Sequence, residues 1–539
     1  MMMVWHARKK CQRGFDRPLR FARGLASLLL CALACCHPTE TAPPPGTVVV
    51  ALESAPSVLD PRFTTDANSS LVAALVSDGL TASDERGESI PALAEWRQPA
   101  PLEYHFTLRP EARFHDGTPV TAADVAATYR SVLDPALGSP KREALAVIAA
   151  IEVPDPRTVV FRLRAVSASF LETTNLGILP ARQTGSGPIP PLQVIGSGPF
   201  RIVALLDGGG IELAPHAEAM DGAPRLAQLR FRVIPDGVVR ALELASGSVH
   251  LVQNALDPDL LPWLAARPEL ELVISPGTTY QYLGLNFRDP RLADRRTRQA
   301  LAYGIDRQAI VHHLLRDTAQ PATGLLSPSH WAYDGQVARH PYDPARATEL
   351  LRQAGLGPEV AAALRRFSYK TSTVELRRRI AEVFQHDLGR LGLGLDVRSY
   401  EWATFYDDIR RGNFELYALA WVGVRDPDVY YRIFHSTMQP PVGTNRGAYA
   451  NPEMDALLTA ARETEDRTER RRLYAAVQRL AAEDLPVVPL WWAENVVVKS
   501  RALAGFRPSP DGDLRSLATA TLRTASSYAP PDTRSSGER

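Results

Sequence analysis

Short apolar runs rich in β-branched residues alternate along this chain with helical patterns, and that alternation predicts a mixed fold of strands and helices, α/β in class with α+β character. Thr47 to Leu52 (TVVVAL) heads the series as a buried strand. Further strands are expected at Thr158 to Leu163, Leu229 to Ile234, Leu270 to Ile274, Leu283 to Phe287, Leu416 to Trp421, Val487 to Trp492 and Val496 to Lys499. Helix starts are equally legible. Thr121 with Asp124 forms a capping box ahead of an apolar-periodic run through Val125 and Tyr129. Asp343 then Pro344 is an N-cap followed by proline at the first helical position, with Gly355 as the stop, and Asn451-Pro452 repeats that opening. Gly304 separates a helix over Arg295 to Tyr303 from one begun by Asp306. No repeat of fixed period interrupts the series, and the Gly/Pro-dense stretch from Ala181 to Gly198 is the best internal boundary.

The two ends follow other patterns. Arg8, Lys9, Lys10, Arg13, Arg17, Arg20 and Arg23 precede a mostly apolar run from Leu25 to Ala34, the layout of a secretory signal and too short to span a bilayer. Ala32-Leu33-Ala34-Cys35 resembles a lipoprotein box, so residues 1–34 are expected to be removed and Cys35, or Cys36 beside it, lipidated. The membrane contact would then be lipid only, from the outside of the cell or in the periplasm. Residues 35–46 contain several prolines and no apolar period and read as a flexible tether; residues 524–539 read as a disordered tail.

Composition sharpens this picture in three ways. With 539 residues and 45% hydrophobic content the chain can bury a sizeable core in two or three domains. All four cysteines (Cys11, Cys31, Cys35, Cys36) lie in the signal or at the lipidation point, so the exported part must stand without disulfides. The net charge of +1 belongs to the signal: without it 54 basic and 59 acidic residues remain, a balance of −5 that offers no footprint for nucleic acid.

Enzymatic signatures are missing. Ser186 and Ser197 sit in G-S-G turns rather than in a G-x-S-x-G elbow, and neither a phosphate-binding G-x-x-x-x-G-K-[ST] nor a zinc-binding H-E-x-x-H occurs. His312 and His313 are neighbours on a helix and point about 100° apart, which does not suit one metal. His115-Asp116-Gly117 reads as a turn. No catalytic residue, metal or cofactor is expected.

A run of motifs carries a resemblance. Leu59-Asp60-Pro61, Asp78-Gly79-Leu80, Pro91 to Trp96, Phe106 to Arg109 and Arg113 to Val125 are followed by Gly196 to Phe200, Leu283 to Asn286, Arg298-Gln-Ala300, Ile305-Asp-Arg307, Asp426-Pro-Asp428 and Asn451-Pro-Glu. Their order over residues 47 to about 520 resembles family 5 solute-binding proteins of ABC transporters, the peptide- and nickel-type receptors. The resemblance implies a two-lobed, type II periplasmic-binding-protein-like fold with an extra inserted domain and hinge closure over a central cleft. Lobe I would comprise residues 47–78, 190–278 and 491–523, the accessory domain residues 79–189, and lobe II residues 279–490, with hinges near 278 and 490.

The function so implied is capture of a small solute, foremost a peptide, by a monomeric lipoprotein that delivers it to a permease and its ATPase. The alternatives are a non-peptide anionic or sugar-derived solute, or an envelope sensor without an importer. In peptide-binding relatives an acidic residue follows the Gly/Trp strand and pairs with the peptide amine; here that place holds Val424, with Asp426 as a substitute and Arg425 suited to an anion. Trp421, Gly423, Tyr280, Tyr282, Trp402 (with Phe405), Asn445 and Arg446 are candidate cleft residues, with Asp66 and Asn68 from the first lobe. His250 replaces an aspartate usual in the family and reads as structural.

Overall fold

The computed structural model describes residues 44–84 and 86–523. The signal (1–34), Cys35 and Cys36, most of the tether and the tail (524–539) lie outside the described residues. Among the described residues, Gly46 to Arg523 form one compact unit.

Its spine is an eleven-stranded sheet. From one edge the order is Gly394–Tyr400, Arg366–Ser372, Leu416–Trp421, Leu270–Leu285, Val487–Ser500, Leu251–Gln253, Thr47–Leu52, Gln228–Val233, Ile211–Pro215 and Phe200–Leu205, with Ala319–Pro321 paired to Val487–Ser500. Thr47–Leu52 is buried at every position and lies between two parallel neighbours, Gln228–Val233 and Leu251–Gln253, as its unbroken apolar pattern requires. A separate four-stranded antiparallel sheet joins Ala94–Ala100, Glu103–Leu108, Thr158–Leu163 and Ile148–Asp155.

Two sequence expectations are corrected. Leu270 to Ile274 and Leu283 to Phe287 are not two strands but the ends of one, Leu270–Leu285, and the two runs after residue 486 are likewise one strand, Val487–Ser500. Pro276 and Gly277 look like a break in sequence. They are absorbed in a register shift between Ser275 and Thr279, where the partner strand continues through Ala493 and Asn495. Gly277 has no room for a side chain there, since a Cβ would sit 2.3 Å from the Ala493 carbonyl oxygen.

The helix signals match the structure closely. Thr121 and Asp124 complete a reciprocal capping box on Ala122–Leu133, Asp343 caps Pro344–Gln353, Asn451 caps Pro452–Glu463, and Asp306 caps Arg307–His313. Gly355 ends its helix in the left-handed region at φ +72°. The predicted His115-Asp116-Gly117 turn is present, with Gly117 at φ +81° and its N–H donating to the Phe114 carbonyl at 2.9 Å. His250 accepts from the Val49 N–H through Nδ1 at 3.0 Å, a structural use of the ring.

Apolar side chains gather into separate cores. Leu80 to Ile178 supply one, beneath the four-stranded sheet. Val48 to Val76, Leu179 to Leu251 and Val497 to Ala520 supply a second, with a smaller cluster alongside that includes Leu270 and Val498. Tyr280 to Trp492 supply two more, which include Leu283, Leu285 and Val488. Each long strand therefore runs from one group of cores into another.

Candidate functional site

Where the strand Leu270–Leu285 pairs with Leu416–Trp421, Tyr280 lies opposite Trp421 and Tyr282 opposite Leu419. Residues two apart share a face, so the two tyrosines stack (5.9 Å between rings, 15° between planes), and Tyr282 stacks in turn on the diagonal Trp421 (6.2 Å, 11°). Arg446 extends the stack, with its guanidinium carbon 5.0 Å from the centre of Trp421 and 5.5 Å from that of Tyr406. Tyr406 stacks on Trp402 (5.7 Å, 12°), and Arg377 stands 5.6 Å from the centre of Trp402. Five rings and two cations thus form one ladder from the buried Tyr280 to Trp402, which is 50% exposed.

Arg446 is 8% exposed and forms no ion pair among the described residues. Its Nη1 donates to the Tyr282 hydroxyl at 3.0 Å and its Nη2 to the Tyr406 hydroxyl at 3.3 Å. Burial opposes the guanidinium's charge; Tyr282, Tyr417 and Tyr406 favour it and leave the group more basic than usual. At neutral pH these phenols offer only dipoles and ring faces. Asn445 sets the loop that presents Arg446: its Nδ2 donates to the carbonyls of His435 (3.1 Å) and Tyr449 (2.8 Å), and its Oδ1 accepts from the Tyr449 N–H at 3.0 Å. Its amide is fully employed within the loop, so the structure gives Asn445 a bracing role beside the site.

The loop after Trp421 turns at Gly423, which lies at φ +66°. Val424 is buried. Arg425 is ion-paired with Asp511, and its carbonyl accepts from Nε2 of His330 at 2.7 Å. Asp426 accepts from Arg470 Nη2 and from the Asp428 N–H, both at 2.7 Å, while Asp428 takes both arms of Arg462 at 2.9 and 2.7 Å. Burial nonetheless pushes the Asp426 carboxyl above its ordinary range. Glu172 lies beside these acids, its carboxyl pushed up to about 8, first by burial and then by Asp426. The arginine and aspartate that sequence reasoning offers to a solute thus have partners within the protein.

Asp66 caps the helix Ala67–Val76, accepting from the Ser69 N–H and the Ser57 hydroxyl at 2.8 Å each, and Asn68 donates to the Ser54 carbonyl at 2.9 Å. Both are locally engaged. Trp421, Tyr280, Tyr282, Trp402 and Arg446 are brought together; Tyr406 and Arg377 belong with them and were missed. The signal for Tyr406 was its spacing four residues after Trp402 on one helix face.

A family model for bacterial extracellular solute-binding proteins, family 5, matches residues 88–440. This chain belongs to that family. It is a solute-binding protein of an ABC importer, in a non-enzymatic family, and no helix among the described residues is long and apolar enough to cross a membrane. The family relationship extends well beyond the matched segment. The oligopeptide-binding protein AppA of Bacillus subtilis (strain 168) is 26% identical over 498 residues, covering 88% of this chain and 91% of its own. Di/tripeptide-binding protein 2 of Pseudomonas aeruginosa (strain UCBPP-PA14) is 27% identical over 515 residues, covering 90% and 96%. The mixed α/β periplasmic binding protein fold is shared with the crystal structure of NikZ from Campylobacter jejuni in complex with Ni(L-His), at TM-score 0.79, 24% identity and 89% and 100% coverage.

Proposed function

We propose that this family 5 protein captures a peptide in a cleft between two lobes and delivers it to a permease whose ATPase drives import, held at the membrane by a lipid on Cys35 or Cys36. The observation that carries the peptide reading is the near-complete coverage, in both directions, of relatives named for oligopeptide and di/tripeptide binding.

The proposed lobes follow the expected limits: 47–78, 190–278 and 491–523 for the first, 279–490 for the second, and 79–189 for the accessory domain. The separate cores support this division, and the two long strands that pass between cores are suited to act as hinges near 278 and 490. Asp259 of the first set takes Arg316 (2.7 Å) and Arg379 (3.0 Å) from the second, contacts that favour the closed arrangement. A solute contacting both lobes stabilises closure only by the difference between its affinities for the closed and open forms. The ladder from Tyr280 to Trp402 would form the second lobe's wall of the cleft.

The test is native mass spectrometry of the purified full chain, followed by denaturation to release what it carries. A set of masses that fragment as peptides is the expected result. A single non-peptide mass overturns the peptide reading.

A further inference from the structure

We propose a second binding site, outside the cleft: a groove in the proposed accessory domain that holds a phosphate-bearing ligand among Arg130, Arg142 and Arg164. None of the ladder residues lines this groove, and the inference does not depend on the cleft reading.

The groove follows from the way the four-stranded sheet ends. Ile148–Asp155 is an edge strand, paired on one side only, to Thr158–Leu163. The pairing shifts register between Ile148 and Ala150, and Ala149 and Ala150 are both exposed between the buried Ile148 and Ile151. Side chains this short leave open a space beside the end of the helix Ala122–Leu133. Its volume is about 570 Å³, within the range of small-molecule sites.

Three arginines line it from separate elements. Arg130 comes from the last turn of that helix, Arg142 from the short helix Arg142–Leu145, and Arg164 from the position just after Thr158–Leu163. Two of them are held by neutral acceptors, which fix a guanidinium without cancelling its charge. Arg130 Nη2 donates to the Ile151 carbonyl at 2.7 Å, and Arg142 Nε to the Leu133 carbonyl at 3.1 Å. Arg164 is tied through its backbone, its N–H donating to the Val147 carbonyl at 2.8 Å, and its guanidinium has no partner among the described residues.

Two acids oppose this charge. Asp134 lines the groove, with Oδ1 accepting from the Ala136 N–H at 2.9 Å. Glu143 meets Arg142 Nη1 at 3.0 Å, in a pair exposed at 41% and 56% that water screens. The balance stays positive. A phosphate monoester brings about two negative charges and three acceptor oxygens, which matches a cluster of arginines better than a planar, singly charged carboxylate does. The same chemistry arrives from two sources, a soluble phosphate ester or the headgroup of a phospholipid.

The experiment is calorimetric titration of the full chain with two probes that share one phosphate, glycerol 3-phosphate and dihexanoyl phosphatidic acid below its micelle concentration, with glycerol as the blank. Saturable binding of a phosphate probe and none of glycerol is the expected result. Binding of the phosphatidic acid at least about tenfold tighter than the glycerol phosphate assigns the ligand to a lipid, because only the acyl chains differ; any smaller ratio assigns it to a soluble ester. Arg164→Gln should weaken binding by about tenfold, as loss of a hydrogen bond to a charged group does. Ala150→Leu fills the groove without touching its charge and should abolish binding. The Arg164 side chain supports nothing else in the protein, so its variant should melt with the natural protein and stands alone if the leucine variant does not fold. Both variants should keep whatever solute the natural protein carries in the cleft, which separates a failure here from a failure of the cleft reading. Absence of binding by both phosphate probes overturns the inference, as does binding that either folded variant leaves unchanged.

Discussion

The Asp511 carboxylate is ion-paired with the Arg425 guanidinium, tying the loop that follows the strand Leu416–Trp421 to the C-terminal segment of the chain. Burial raises the Asp511 carboxyl and Arg425 and its hydrogen bonds lower it, with a net fall below the ordinary value. A carboxyl lowered on folding adds stability that is whole above the unfolded value and lost as pH drops through the folded one. Asp511→Asn should therefore cost of the order of 1–3 kcal/mol at pH 7 in urea unfolding and progressively less below pH 3.8. A variant equal to the natural protein at pH 7 would show that the pair contributes nothing.

His115, His330 and His340 are each lowered to about 4, chiefly by burial. For His330 the network fixes the neutral form: Nε2 must donate to the Arg425 carbonyl, and Nδ1 accepts from the Ala332 N–H at 3.1 Å. The unfolded chain protonates these rings below the ordinary 6.5, so their contribution is whole above that pH and declines as pH falls toward 4. The slope is up to about 1.4 kcal/mol per pH unit for each ring. Glu172, raised to about 8, acts in the opposite sense, with stability full below 4.5 and lost as pH rises through 8. Unfolding free energy should fall between pH 6.5 and 5.5, less steeply in His330→Gln, while Glu172→Gln should gain progressively on the natural protein as pH rises from 4.5 to 8 and keep that gain above it. Parallel curves for all three proteins would contradict these assignments.

Two glycines separate stability from binding. A Cβ on Gly284 would lie 2.3 Å from the Tyr417 ring, which packs edge-on against Tyr282 in the site; one on Gly196 would lie 2.0 Å from the Val76 carbonyl oxygen. Both alanine variants should lose roughly 1–3 kcal/mol in urea unfolding. Only Gly284→Ala should also release the co-purifying solute, because only it displaces a neighbour of Arg446. Equal retention by both would remove Tyr417 from the support of the site.

Local signals carried most of the fold: the capped helices and the strands Thr47–Leu52, Thr158–Leu163 and Leu416–Trp421 stand where their patterns put them. The long strands were read as pieces because a register shift across Pro276-Gly277 depends on a partner more than two hundred residues away. The site was half legible for a related reason. Trp421, Tyr282 and Arg446 could be named, but whether an arginine is already paired is a tertiary fact. Arg425 looked available until Asp511 was seen against it, and Arg446, a loop residue in sequence, is set against Trp421 and Tyr406 only by the fold.

The first strand of the sheet has a mechanical meaning. Thr47–Leu52 enters the middle of the sheet immediately after Gly46, bonded along both sides to parallel neighbours. A tug on the chain at Gly46, along the strand, loads the hydrogen bonds of both seams in shear, so that they share the force instead of unzipping one after another. A protein held by its N-terminal end would meet drag and collision through this strand, the part of the sheet best placed to bear them.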